Sequence, residues 1–192
     1  IISTRLELME RNPDPLRRPE YIGGIREQTR RILSLVDSLV TITRLDELKE
    51  FSLRPVDLGD FLAHLRDTLE ELALHKAITL VVEAPAAPLF IRAEPHELLR
   101  ALRVVFDNAV SFTPQGGQIE LRCVVPSENE IALEVVDNGV GINPADQERI
   151  FERFYRVDHA HTTEGFGLGL PIARRITELH QGRIEVESVG GQ

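Results

Sequence analysis

The chain has 192 residues, enough for one ordinary domain with an appendage or for two small units. Its 42% hydrophobic content supports a core, its 28% charged residues argue against disorder, and no apolar run approaches the ~20 residues of a membrane span. The net charge of −9 falls wholly beyond Leu48, because residues 1–48 balance eight arginines against eight acids, and so acidic a remainder repels nucleic-acid phosphates.

Ile1 rather than Met opens the sequence, which reads as a fragment of something longer. Residues 1–10 look like the tail of a helix with Ile2, Leu6 and Met9 on one face. RNPDPLRRP breaks it, since each proline removes a donor and restricts the residue before it. From Tyr21 to about Leu48 the pattern predicts one long helix. Ile22, Ile25, Thr29, Ile32, Val36, Leu39 and Thr43 alternate steps of three and four, and Leu33, Leu35, Val40 and Ile42 widen that heptad seam into a bundle-type stripe. So wide a stripe needs a cover. Homodimerisation through a four-helix bundle provides one, and so does packing of the hairpin on its own C-terminal part.

After Phe51 the period changes. Residues 51–56 read as a short strand, 57–75 as a helix opened by Asp57, AITLVVE and PLFIR as strands, and 94–112 as a helix with Leu99, Leu102, Phe106 and Ala109 facing a sheet. GQIELRCVV and EIALEVVD alternate with period two, as a hairpin across PSEN. A loop-rich stretch follows to about Gly165, then a helix to His180 and the strand RIEVES. Strands mixed with helices, without strict βαβ alternation, predict an α+β fold: a two-layer α/β sandwich with a mixed sheet under helices, preceded by a partial helical hairpin. The single Cys123 excludes an internal disulfide and fits a reducing compartment. The six histidines show no close pairing with cysteine, so zinc is not expected.

Four patches carry candidate chemistry. Asn108 sits off the core face of the 94–112 helix, where an amide can be merely solvated or can serve as a ligand. VVDNGVGI ends a strand with Asp137, then Gly139 and Gly141; it reads as a hairpin turn, a cation site or a nucleotide contact. RIFERFYRVD sets Arg149, Arg153 and Arg156 on one face if helical, either to clamp a polyanion or to neutralise Asp146, Glu148 and Glu152. GFGLGLPIARRI places Gly165, Gly167, Leu168 and Gly169 ahead of an amphipathic helix, whose free N–H groups suit phosphate.

The order of the four resembles the Bergerat-fold ATPases, the superfamily of sensor histidine kinases, type II topoisomerases, mismatch-repair ATPases and a chaperone ATPase. FERFYR and the helical hairpin make the likeness closest to a sensor histidine kinase of two-component signalling, with 1–48 as partial dimerisation and phosphoacceptor hairpin and 51–192 as catalytic ATP-binding domain. The resemblance implies ATP and Mg2+ as cofactors. It implies that Asp137 accepts from the adenine amine, a role suited to a carboxylate that only accepts. Gly139 and Gly141 then let backbone approach the ring, and Asn108 offers its amide oxygen to magnesium. Gly165, Gly167, Leu168 and Gly169 lie at the phosphates with Arg156 as a contacting cation. Residues 143–164 form a lid, anchored in the core by Phe151 and Phe154.

As partners the resemblance implies a response-regulator receiver domain and a second copy through the hairpin, with no nucleic acid and no membrane contact by this fragment. It implies a cytoplasmic location, any membrane anchor belonging to a longer protein. Departures from the family pattern stand at Ser111, where Lys is usual, at Val104, where Asn is usual, and at Phe166, where Thr is common. None of His64, His75, His96, His159, His161 or His180 has the context of the phosphoacceptor, and one further strand is expected after Gln192. The implied function is transfer of the ATP γ-phosphoryl group to a histidine for relay to a response regulator. The alternatives are a nucleotide-binding and dimerisation module without kinase activity, and another Bergerat ATPase such as a serine-kinase anti-sigma factor.

Overall fold

The computed structural model describes residues 18–85, 87–127, 129–157 and 165–189. The expected helix tail at 1–10, residues 11–17 of the proline-rich loop after it, and His159 and His161 lie outside the described residues, while Arg18 and Pro19 of that loop already belong to the first helix.

Helix α1 (Arg18–Glu47) is the long helix that the heptad pattern predicts. Its polar seam positions are accommodated because Thr29 and Thr43 donate back to the carbonyls of Ile25 and Leu39, at 2.9 and 2.8 Å. Strand β1 (Arg54–Asp57) leads directly into α2 (Leu58–Leu74). Asp57 caps that helix, its Oδ1 accepting from Gly59 N at 2.8 Å. Strands β2 (Thr79–Glu83) and β3 (Phe90–Ala93) follow, then α3 (Pro95–Phe112). Pro95 stands in the first turn of α3, where its missing N–H costs nothing, and Glu94 caps the helix by accepting from Glu97 N at 2.7 Å. Strands β4 (Gln118–Ser127) and β5 (Glu130–Asp137), a single 3-10 turn over Arg149–Phe151, and α4 (Gly169–Leu179) complete the described elements.

The mixed sheet is β2-β4-β5, with β2 parallel and β5 antiparallel to β4; β1 and β3 form a separate antiparallel ribbon. Helices α2 and α3 cover the sheet. Leu62, Leu65, Leu69, Leu102, Phe106 and Ala109 are buried against Ile119 and Leu121. Each fully buried leucine here contributes about 2 kcal/mol relative to exposure. The opposite side of α3 serves a second core, where Ala101, Val104 and Val105 meet Ile172, Ala173 and Ile176 of α4. Helix α3 is thus packed on two sides.

The end of α1 joins this second core. Ile42 and Leu45 are buried in it, with Leu35 and Leu48 at its margin. Arg175 on α4 caps α1, donating to the carbonyls of Leu45 and Leu48 at 3.2 and 2.8 Å. Polar ties flank the apolar contact: Arg44 reaches Glu97, and Arg100 donates to Thr41 Oγ1 at 2.9 Å. The seam itself is not the covered face, for Ile22, Ile32, Leu33, Val36, Leu39 and Val40 remain exposed.

Three expectations are corrected. RIEVES is not a strand. Ile184, Val186 and Ser188 are half-buried while Glu185 and Glu187 are exposed, but side-chain bonds replace a ladder. Arg183 pairs with Glu130 at 2.9 Å, and Ser188 Oγ accepts from Ile142 N at 2.8 Å. The arginines of RIFERFYR do not share a helical face, because the 3-10 turn ends at Glu152, whose ψ is 142°, and Phe154 takes a φ of 65°. That left-handed residue turns the Phe154 side chain out, 60% exposed, so Phe154 anchors no core; Phe151 is half-buried.

Candidate functional site

Helix α3 organises the site along one ridge. Ala101, Val104, Asn108 and Phe112 follow steps of three and four, so they line one side of the helix, Val104 and Phe112 being about 12 Å apart along its axis. At Val104 the ridge meets the second glycine motif: a Cβ on Gly169 would lie 3.1 Å from Val104 Cγ1. At Phe112 it meets the first: a Cβ on Gly139 would lie 2.7 Å from the Phe112 carbonyl oxygen, to which Val140 N donates at 3.4 Å. Half-buried Asn108 therefore stands midway between the two glycine motifs.

Asp137 ends β5, paired with Ile119 of β4. Its side chain is exposed, with Oδ1 accepting from Gly139 N at 2.9 Å, so the Asn-Gly turn signal and the carboxylate belong to one loop. Gly141 takes a φ of 68°, which a side chain would resist.

The third patch flanks the fourth. Phe154 N donates to Gly167 O at 2.8 Å, and a Cβ on Gly167, itself at φ 68°, would fall 2.5 Å from Tyr155 O. Tyr155 OH donates to Asp146 Oδ1 at 2.6 Å, and Arg149 stacks on the tyrosine ring at 4.1 Å. The bond to Asp146, and then burial, hold the phenol above its ordinary pKa. Arg153 leaves the site altogether and pairs with both oxygens of Asp46 on α1, at 2.8 Å each. Of the three arginines Arg156 stays nearest the glycine motif in sequence order, exposed one residue beyond Tyr155. Leu168 is buried, and the backbone of Gly169 opens α4 with no side chain capping it. That end presents N–H groups suited to an anion.

Two of the departures have local explanations. Val104 fills space against Gly169, and Ser111 turns back to donate to Asp107 O at 2.7 Å. The cation at this helix end comes from elsewhere. Lys76, in the turn after α2, donates to the carbonyls of Val110, Ser111 and Thr113 at 2.8, 2.8 and 3.1 Å. Lys76 was not legible in the sequence, because nothing in HKAITL marks it as reaching the end of a helix more than thirty residues away. His180 is structural: its Nε2 accepts from Glu94 N at 3.0 Å and its Nδ1 faces Ile176 O at 2.8 Å.

Residues 93–192 match the family of histidine kinase-, DNA gyrase B- and HSP90-like ATPases. The chain belongs to that ATPase family. Within it, the sensor protein kinase WalK of Staphylococcus saprophyticus is 33% identical over 178 residues, which are 91% of this chain and 29% of WalK. The chain thus spans 29% to 42% of the length of the WalK relatives it matches. Among solved structures, ShkA in complex with AMPPNP has a TM-score of 0.76 at 30% identity, over 91% of this chain and 36% of ShkA. The histidine kinase ThkA in complex with the response regulator TrrA shares the fold, with a TM-score of 0.76 at 20% identity over 97% of this chain and 52% of ThkA. These relatives bear out the α+β ATPase fold and the sensor histidine kinase type of this domain, and family membership makes ATP its nucleotide.

Proposed function

We propose that the chain works as the catalytic region of a sensor histidine kinase, placing the γ-phosphoryl group of ATP for attack by a histidine. The reading rests on the α3 ridge, which sets Asn108 between the Asp137 loop and the glycine motif that opens α4. Asp137 accepts from the adenine amine, using Oδ2 because Oδ1 is engaged by Gly139 N. The bare backbone at Gly139 and Gly141 admits the ring edge. Gly165, Gly167, Leu168 and Gly169 direct N–H groups to the phosphates, and Arg156 adds a positive charge there.

The donor set fits magnesium in one manner. Among the described residues no cluster of His, Cys, Asp or Glu could hold a metal, so Asn108 supplies one neutral oxygen while water and the triphosphate supply the rest. The bound nucleotide and its ion supply a transferable phosphoryl group with its charge neutralised. Among the described residues His64 is exposed on α2, His75 just beyond it and His96 at the start of α3, and His180 is held by Glu94 and Ile176; none has the sequence context of a phosphoacceptor, so the reading assigns the acceptor histidine to another segment.

The exposed seam of α1 suits a second copy of the chain, and a response-regulator receiver domain would accept the phosphoryl group in turn. Among the described residues no helix is long and apolar enough to cross a membrane; a cytoplasmic location is part of the proposal.

Calorimetry with magnesium and AMPPNP tests the pocket. Asp137→Asn replaces an acceptor by an amide that can present a donor, and should weaken binding by roughly 10- to 100-fold. Equal affinity for the two proteins would sink the reading. One observation favours a second reading, a nucleotide-binding module without transfer: Ser111 is bonded to its own helix and cannot substitute for the usual lysine. Supplying a histidine-bearing partner hairpin and seeking acid-labile phosphoprotein separates the two.

A further inference from the structure

Asp137 can read an amino group only from a loop that holds still, and its neighbour Asn138 is the side chain that holds it. We propose that Asn138 is a positioning residue that sets adenine selectivity through Asp137, an inference that rests on the nucleotide reading above.

Asn138 is gripped twice by the first residue of β4. Its Oδ1 accepts from Gln118 N at 2.8 Å, and its own N–H donates to Gln118 O at 3.3 Å. The carboxamide lies in a slot that exists because residue 117 is glycine. A Cβ on Gly117 would fall 2.8 Å from Asn138 Oδ1 and 2.4 Å from Thr113 Cγ2. Asp137 pairs with Ile119, the residue after Gln118, so anchoring Asn138 on Gln118 closes the ladder beside Asp137 and holds its backbone in register. Gly139 N holds Asp137 Oδ1 at 2.9 Å, which leaves Oδ2 to meet a ligand.

Between Gly139 and Gly141 the loop has one outward tie among the described residues, from Val140 N to the Phe112 carbonyl at 3.4 Å. That bond is long and made by backbone alone. The Asn138 bond is shorter and is the one of the two that a side-chain replacement can remove. Among the described residues its oxygen alone is used, so aspartate can replace asparagine there, whereas alanine cannot and leaves the Gln118 N–H without its acceptor.

The consequence is selective. A fixed carboxylate accepts from the amino group of adenine and repels the carbonyl oxygen that guanine carries at the same place. A loosened one does both less well, so adenine loses affinity and guanine does not.

The experiment compares AMPPNP with GMPPNP, each with magnesium, by calorimetry. Asn138→Ala should weaken AMPPNP about tenfold, near 1.4 kcal/mol, and leave GMPPNP unchanged, shrinking the preference. Asn138→Asp should keep the wild-type preference, its extra negative charge weakening both nucleotides in parallel. A wild-type preference in Asn138→Ala, or an equal loss of preference in both variants, overturns the inference. Asp137→Asn separates it from the reading beneath: if that variant binds AMPPNP normally, the role of Asp137 itself fails. If it binds weakly while Asn138→Ala keeps its preference, the inference about Asn138 fails alone. Should Asn138→Ala not fold, amide exchange in the wild type decides. Gln118 and Gly139 should slow together on adding AMPPNP, and slowing at Gly139 alone overturns the inference.

Discussion

Gly139 and Gly167 are packed alike and held differently. An added Cβ would come within 2.7 Å of the Phe112 carbonyl oxygen at the first and within 2.5 Å of the Tyr155 carbonyl oxygen at the second. Phe112 ends α3, whose Phe106 and Ala109 are buried in the main core, so the wall behind Gly139 cannot retreat. Tyr155 belongs to a surface loop tied outward by Arg153 to α1 and by its own hydroxyl to Asp146, so the wall behind Gly167 can. The proposed adenine side is thus anchored in the core, and the proposed phosphate side hangs on a chain segment that also touches α1.

Gly139→Ala is the severest test of that contrast. Overpacking against a helix end fixed by the core should cost about 2 to 3 kcal/mol of stability, read by thermal or urea unfolding. Gly167→Ala should cost less, about 1 kcal/mol for the left-handed backbone, because the 152–155 loop yields. Its larger effect should fall on AMPPNP affinity, about tenfold, through misplaced N–H groups. If the two variants lose equal stability, the contrast between a fixed wall and a yielding one is wrong.

The same contrast explains what could be read from sequence. Elements made by local periodicity were legible: EIALEVVD became β5 over Glu130–Asp137, and the 94–112 pattern became α3 with Glu94 as its cap. The order of motifs around Asn108, Asp137 and Gly167 was legible for the same reason, since each lies in or beside a regular element. Contacts made by long flexible side chains across the fold were not. Nothing local to Arg153 points to Asp46, and nothing near Lys76 points to the end of α3. The helical spacing of Arg149, Arg153 and Arg156 misled, because the hydrogen bond from Phe154 to Gly167 and the left-handed Phe154 override a local helical preference. RIEVES misled in the opposite way, with strand-like burial but bonds made through Arg183 and Ser188.

Arg153→Ala probes the outward tie with a smaller effect. The pair with Asp46 is nearly half exposed on both sides, so its loss should cost only about 0.5 kcal/mol, less at high salt. The local consequence should be sharper than the global one. With Arg153 gone, the amide of Phe154 should exchange faster, while that of Gly139, held behind α3, should not change. Equal acceleration at both amides would mean that the two glycine loops move as one body.

The mildest expected effect lies on α3 itself, at Asp107 beside the ridge. Burial pushes its carboxyl above the ordinary range, and Arg103, 3.9 Å away, opposes the shift. A raised pKa means that the folded chain holds this proton more tightly than the unfolded chain does. Ionisation therefore subtracts stability as pH rises through the carboxylate range, and the penalty is complete at neutral pH. Asp107→Asn removes the penalty and should be more stable than wild type at neutral pH, by a fraction of 1 kcal/mol because the side chain is about half exposed. The gap should close on acidification and vanish below about pH 3, where both chains carry a neutral side chain at this position. Unfolding curves of the two proteins at several pH values measure it. A variant less stable than wild type at neutral pH would show that the pair with Arg103 outweighs burial, and would mark the solvent side of α3 as held by charge rather than by its two cores.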